Sequence, residues 1–249
     1  MALSHQLFEL QKRIWGVSDK DALPAWKIFT TPKTSGLLIV AFEEDKPIAY
    51  ALFTHVYTHR EAKPYLYMDM LGVLPEYQGQ RIGEQIVLKV KQFAKKNGYS
   101  AITWTYDPFQ PANAHLYLCK LGAVVTQFYP NYYGELSGTY EQGSQSDRFL
   151  AELHLDATPK IPHDSEITVS FSLSKSFKPS VIDQKGTQAI EIEVPFDINT
   201  LMRVDAKNAY QIKDSRAEIF KFLLESDYCI TDFVRKKDAN YYIAKQIGY

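Results

Sequence analysis

The chain is poor in cysteine, lacks long apolar runs and carries no surplus of either charge, and each shortage removes a class of protein. Its two cysteines, Cys119 and Cys229, lie far apart without metal-ligand spacing. They read as reduced thiols, so neither a disulfide framework nor a metal site is expected. Nothing beside either one suggests the partner base that a cysteine nucleophile needs. No stretch approaches the ~18 consecutive apolar residues of a spanning helix. The opening MALSHQLFELQKRIWG has no basic segment followed by an apolar run, so no signal peptide is expected. The expectation is a cytoplasmic protein without a membrane partner. Lys plus Arg (28) nearly balance Asp plus Glu (29), for a formal net charge of −1. A nucleic-acid partner would normally call for a basic excess, so none is expected.

What is present is a large apolar fraction, 45% of 249 residues, with 14 Phe and 17 Tyr. That suffices for one generous domain, or one domain with a smaller appendage. Ser4 is placed to cap a helix with Leu7, Leu10 and Ile14 on one face and Gly16 at its end. A short helix is expected around Pro24–Phe29. Two apolar runs, 36–42 and 47–57, flank a charged connection and predict a hairpin. YLYMDMLGV (65–73) is the next strand. Ile82, Ile86, Val87, Val90, Phe93 and Ala94 form the stripe of a helix that stops at Asn97-Gly98. AITWTY (101–106) is a strand, Asn113–Lys120 a helix, and AVVTQFY (123–129) another strand. The strand–helix–strand at 65–106 predicts a parallel crossover, and the early hairpin makes the sheet mixed.

Residues 132–146, YYGELSGTYEQGSQS, read as a loop. RFLAELHL (148–155) returns as a strand, and 157–187, rich in Pro, Ser and Lys, gives no firm pattern. Then come strand 190–196, a helix around Ser215–Leu224, and strands 228–234 and 240–245, a second and smaller β-α-β-β unit. The fold class is α/β (α+β): a mixed sheet flanked by helices, with this C-terminal unit packing on the first or extending its sheet.

The chemistry centres on EYQGQRIGEQI (76–86). Two glycines open a helix immediately after a strand. The first turn of a helix has unpaired N–H groups and a partial positive charge, which suits a phosphate, and glycines keep side chains out of its way. Neither GxGxxG nor GxxxxGK[ST] is matched, so the common nucleotide fingerprints are absent. A plain strand-to-helix turn is the competing reading.

LGVLPEYQGQRIGEQI resembles the pyrophosphate-binding segment of the GNAT acyl-CoA transferases, with its pattern [QR]-x-x-G-x-[GA]. NAHLYLCKLGA resembles that superfamily's second motif, an Asn-led helix ending in Leu-Gly. The strings LQKRIWG, ITWTYDPFQPANAHL, KLGAVV and SDRFLAEL are similar to a bacterial subgroup of predicted acetyltransferases in which the likeness continues into the C-terminal unit. The resemblance implies a GNAT domain over 1–155 and an extension over 156–249. It also implies acetyl-CoA or another acyl-CoA as cosubstrate. Leu71, Gly72, Val73, Gln78, Gly79, Gln80, Arg81, Ile82, Gly83, Glu84 and Asn113 would hold it. The acceptor would be a small-molecule amine or amino acid, the acyl group acetyl by default with succinyl open, and an oligomer is compatible. The alternatives are a non-catalytic CoA-binding module and a protein N-acetyltransferase.

Two positions depart from the family pattern. Arg81 stands where glycine is usual, and it is either a phosphate contact or a solvated cation at the helix start. Many members carry a tyrosine four residues before the Leu-Gly glycine, but counting back from Gly122 gives Leu118, with Tyr117 one position off. Tyr117 is therefore the substitute acid, about 100° away on an α-helix. For the base, Asp69 is set by alternation on the same face as Val73, and a carboxylate inside LYMDMLGV needs a reason. Asp107 is either a base or anchor at a strand end or a turn-initiating Asp. Asn113 binds ligand, caps its helix, or both. His115 reads as structural, while His55 and His59 qualify only by proximity. Tyr132, Tyr133 and Tyr140 are either pocket wall or packing. Asp147-Arg148 reads as an ion pair or as a cation offered to an acceptor carboxylate.

Overall fold

The computed structural model describes residues 3–57, 63–134, 146–156, 166–174, 177–182, 189–237 and 239–246. His59 and Tyr140 lie outside the described residues. Contacts group these residues into two compact units: 3–104 with 154–156, and 105–134 with 146–153 and the C-terminal part from 166.

In the first unit, α1 (Leu3–Trp15) and α2 (Ala25–Thr34) precede the hairpin of β1 (Gly36–Glu43) and β2 (Lys46–Val56). Ser4 lies inside α1 rather than capping it, because the helix already runs from Leu3. The α1 face Leu7, Leu10 and Ile14 packs with Ile28, Ile48, Tyr50 and Leu74 into one apolar cluster. Gln11 sits in that face, fully buried, because its amide is matched at both ends: Nε2 donates to Leu23 O at 2.7 Å and Oε1 accepts Leu23 N–H at 2.9 Å. β3 (Tyr65–Val73) pairs antiparallel with β2, α3 (Ile82–Lys96) follows, and β4 (Ala101–Tyr106) lies parallel to β3. The order is β1-β2-β3-β4 and the crossover is the one the sequence predicts. Gly72 has its own packing reason: a Cβ there would stand 2.7 Å from the Trp15 ring, so its absence lets α1 lie close on β3.

The second unit takes the last two residues of β4, then α4 (Pro111–Ala114), β5 (Val124–Tyr129) and β6 (Arg148–His154). From the C-terminal part it adds β7 (Ile167–Phe171), β8 (Ala189–Val194), α5 (Ile198–Val204), α6 (Ala206–Glu225), β9 (Tyr228–Arg235) and β10 (Asn240–Gln246). Strand order is β6-β5-β9-β10-β8-β7, so β9 pairs with β5 and joins the C-terminal strands to the middle of the chain. Two elements escape sequence reading. β7 lies in the Pro/Ser-rich stretch, and α5, capped by the Asp197 carboxylate on Asn199 and Thr200 N–H, precedes a helix twice the expected length. The core is aromatic: Phe149 stands 4.7–5.7 Å from the rings of Tyr106, Phe220 and Tyr242.

Candidate functional site

β3 is the strand on which the first unit's candidates hang. Against β2 it is paired from Tyr65↔Val56 to Val73↔Ala49. Against β4 the ladder joins only Leu66↔Ile102 and Tyr67↔Thr103. Beyond Tyr67, the edge turned toward β4 therefore presents main-chain groups outside that ladder, and Leu71, Gly72 and Val73 lie in this stretch.

The register also slips: Leu52 pairs Met70 but Phe53 pairs Met68, which leaves Asp69 as the extra residue of a β-bulge. This corrects the alternation argument. Val73 and Leu71 pair Ala49 and Ala51. The Asp69 carboxylate instead takes a 2.7 Å hydrogen bond from the Thr54 hydroxyl, on the face shared by Tyr50 and Leu52. The bulge interrupts the alternation at Asp69, so counting from Val73 does not set its face. Asp69 is exposed at its tip, yet desolvation by the surrounding protein lifts its carboxyl above the ordinary carboxylate range. The Thr54 bond and the charge of Lys27 oppose that rise. Thr54 was invisible to sequence reasoning, because finding it requires the bulged register.

The strand leaves through a 3₁₀ turn at Pro75–Tyr77 into the glycine turn. Gly79 (φ 78°) and Arg81 (φ 63°) both adopt left-handed backbone, the kind of turn conformation that makes anion-binding concavities. Nothing lies within 4 Å of where a Gly79 Cβ would stand. The Gln78 amide folds back to donate to Val73 O at 3.1 Å. Ile82 and Gly83 supply first-turn N–H groups that have no acceptor four residues back within α3.

Arg81 is an exposed cation at the helix start, as the second sequence alternative has it, and it is also ion-paired. Its guanidinium forks onto Glu84, Nε at 2.9 Å and Nη2 at 2.7 Å, and Glu84 is buried at the helix start. A bare carboxylate there would repel a bound diphosphate, and Arg81 neutralises it. Arg81→Ala is accordingly expected to weaken binding of a diphosphate-bearing ligand about tenfold, and adding Glu84→Gln to restore it, as calorimetry would read. A double variant as weak as the single one would mean that Arg81 itself contacts the ligand.

The second unit holds the remaining candidates. Asp107 forms an Asx turn: its carboxylate accepts Phe109 N–H at 2.8 Å and the Gln110 amide at 3.3 Å. Asn113 lies inside α4, whose N-cap position is Gln110 without a side-chain cap, so the capping reading is corrected. From His115 to Lys120 the helix widens into a π turn, with Leu121 N–H bonded to Leu116 O at 3.0 Å and Ala123 N–H to Tyr117 O at 2.9 Å. A π turn holds one residue more than an α turn. The position four back from Gly122 on an α-helix is therefore taken here by the residue five back, Tyr117. Tyr117 is buried edge-on to Tyr106 at 5.2 Å, and burial pushes its hydroxyl far above the ordinary phenol value. It stays protonated, and burial makes it a weaker acid than an ordinary phenol. His115 is shifted the other way, mainly by burial and then by Arg235 and Lys120, and stays neutral more readily than a free histidine. His55 is engaged with Tyr99, 3.2 Å from its hydroxyl.

Among the described residues, no group of His, Cys, Asp and Glu could hold a metal ion, and no helix is long and apolar enough to cross a membrane.

Residues 4–123 match the acetyltransferase (GNAT) family. No curated protein matches the chain. Among solved structures, Arabidopsis thaliana NAA60 in complex with a bisubstrate analogue is similar, with a TM-score of 0.52 at 10% identity over 62% of this chain and 94% of that one. The ribosomal-protein-S18-alanine N-acetyltransferase of Escherichia coli gives 0.49 at 15% identity over 63% and 90%. A GNAT family acetyltransferase from Elizabethkingia anophelis with acetyl-CoA bound gives 0.42 at 21% over 52% and 82%.

Proposed function

Because residues 4–123 of this chain form a domain of the acetyltransferase (GNAT) family, whose cosubstrate is an acyl-CoA, we propose that the protein transfers an acyl group from CoA to the amine of a small molecule. Acetyl is the default group, and succinyl is the alternative to screen. The observation that carries the reading is a bulged strand, unladdered on one edge, that runs straight into a left-handed glycine turn at a helix start. The turn suits the pyrophosphate through Gly79–Gly83 N–H groups. Main-chain N–H in Leu71–Val73 suits the thioester oxygen as charge develops on it.

The acceptor nitrogen attacks the thioester carbon, the C–N bond forms and the C–S bond breaks. Asp69 takes the amine proton, directly or through a water, and the departing sulfur takes one from an acid, the role that the family resemblance gives to Tyr117. The raised pKa of Asp69 sets the sign of a pH test. A base must be unprotonated, so the acidic limb of kcat/KM should lie above the ordinary carboxylate range and vanish in Asp69→Asn. An unchanged profile in that variant would remove Asp69 as the base. The same shift means that the charged form of Asp69 costs stability as pH rises, so the variant should be no less stable than the parent near neutral pH.

The primary test is thiol release from acetyl- and succinyl-CoA with pooled amines, amino acids and peptides. Release with amines or amino acids supports the proposal. Release with peptides alone would make this a protein acetyltransferase, and CoA binding without any release would make it a binding module.

A further inference from the structure

Asp69 stands where the ladder between β2 and β3 is least regular. Met70 pairs Leu52 and Met68 pairs Phe53, so the residue between them has no partner of its own across the ladder. Its carboxylate reaches instead to Thr54, the next residue along β2. Re-aiming a side chain in this way is what a bulge does.

The bond is short and one-sided. Thr54 Oγ1 donates to Asp69 Oδ2 at 2.7 Å, within the range of a charge-assisted bond from a hydroxyl to a carboxylate. A hydroxyl has a single proton to give, so Oδ1 is left without it. Asp69 is exposed as a residue, which leaves room for a ligand beside the carboxylate.

Desolvation is the largest influence on Asp69 and works against its charged form. Of the influences that favour the charge, the Thr54 bond comes first, ahead of Asp69's own main-chain N–H and the charge of Lys27 on α2. Lys27 is exposed, so its share is weakened by salt, whereas that of a direct hydrogen bond is not. The neighbours of Thr54 on its face of β2 are Leu52 and Tyr50, the latter buried and held neutral by its burial.

We propose that Thr54 is a positioning residue: its hydroxyl fixes Oδ2 of Asp69 and thereby presents Oδ1 as the oxygen that takes the amine proton. This role rests on the reading of Asp69 as the base of an acyl transfer. The proton leaves the attacking nitrogen and binds Oδ1, and the carboxylate becomes a neutral acid whose Oδ2 is a carbonyl oxygen. That oxygen still accepts from Thr54, so the bond persists in both states and is stronger to the charged one. Thr54 itself neither gains nor loses a proton.

Thr54→Val and Thr54→Ser on the full chain test this. Valine suits a strand but has no proton to donate, and serine keeps the donor. The titration of Asp69 is followed by carbon NMR with labelled aspartate, its signal being the one lost in Asp69→Asn. No substrate enters that measurement. The titration should move to higher pH in Thr54→Val, because the lost bond favoured the charged form, and stay near the parent in Thr54→Ser. In thiol release from acetyl-CoA, with an amine that the pooled screen selects, Thr54→Val should lower kcat about tenfold even above the acidic limb. KM should stay within a few-fold, and Thr54→Ser should recover the rate. An unmoved titration in Thr54→Val, or serine behaving like valine, would overturn the role whatever the turnover. A loss of rate confined to the acidic limb would overturn it too, since Thr54 would then set the charge of Asp69 without orienting it. High salt that reproduces the Thr54→Val titration in the parent would assign the effect to Lys27. A moved titration in a protein that releases no thiol with any amine would leave the bond standing and discard the transferase reading, and the positioning role with it.

Discussion

Tyr117→Phe is expected to lower kcat about 10²-fold, while CoA affinity and thermal stability stay near those of the parent. General-acid assistance is usually worth about 10²–10⁴. The low end applies here because a thiol of pKa about 8.5 leaves tolerably well as thiolate. The expectation depends on the π turn at His115–Lys120, whose extra residue makes Tyr117 rather than Leu118 the counterpart of the family's tyrosine position. Leu118→Met serves as the control, since a volume-conserving change at a buried apolar site should leave kcat within a few-fold. Full activity in Tyr117→Phe would mean that the sulfur takes its proton from solvent. Loss of activity with Leu118→Met and not with Tyr117→Phe would mean that the π turn does not shift the position.

Arg216→Met is expected to destabilise the protein by about 2–4 kcal/mol, the largest stability effect of any single side chain considered. Arg216 is 1% exposed, and its guanidinium donates to three main-chain carbonyls: Phe171 and Ser172 at the end of β7, and Glu193 in β8. Desolvation depresses its pKa, which measures what the buried charge costs. Methionine removes that cost but leaves three acceptors without their donor, each worth about 1–3 kcal/mol when buried and unsatisfied. The orphaned carbonyls should win. Chemical denaturation checks this, and a change under about 0.5 kcal/mol would show that water reaches those carbonyls. Arg216→Lys, with three donors on a single nitrogen, should fall between the two.

The first unit was largely legible because its signals are local. Alternation and the charged connection located the hairpin, and Asn97-Gly98 located the end of α3. The glycine turn was equally legible. Gly79 needs positive φ, and a side chain at position 81 is tolerated there at the expense of left-handed backbone. The second unit was read less well: α5 and β7 went unseen and α6 was cut to half its length. Charges on its buried stripe broke the apolar period by which helices are recognised.

By itself the sequence determined that a strand turns into a helix through a glycine turn, and so where an anion turn is to be expected. That turn depends on residues within a few positions of one another. Only the tertiary structure decided that Asp69 is the bulged residue, that Arg81 is bound to Glu84, that His115–Lys120 widens into a π turn and that Lys213 is buried. With the exception of the Arg81 fork, whose i,i+3 spacing could have suggested it, each depends on geometry that local patterns do not carry. A register is set by the partner strand, a π turn by the main-chain hydrogen bonds it closes, and burial by residues far away in the chain.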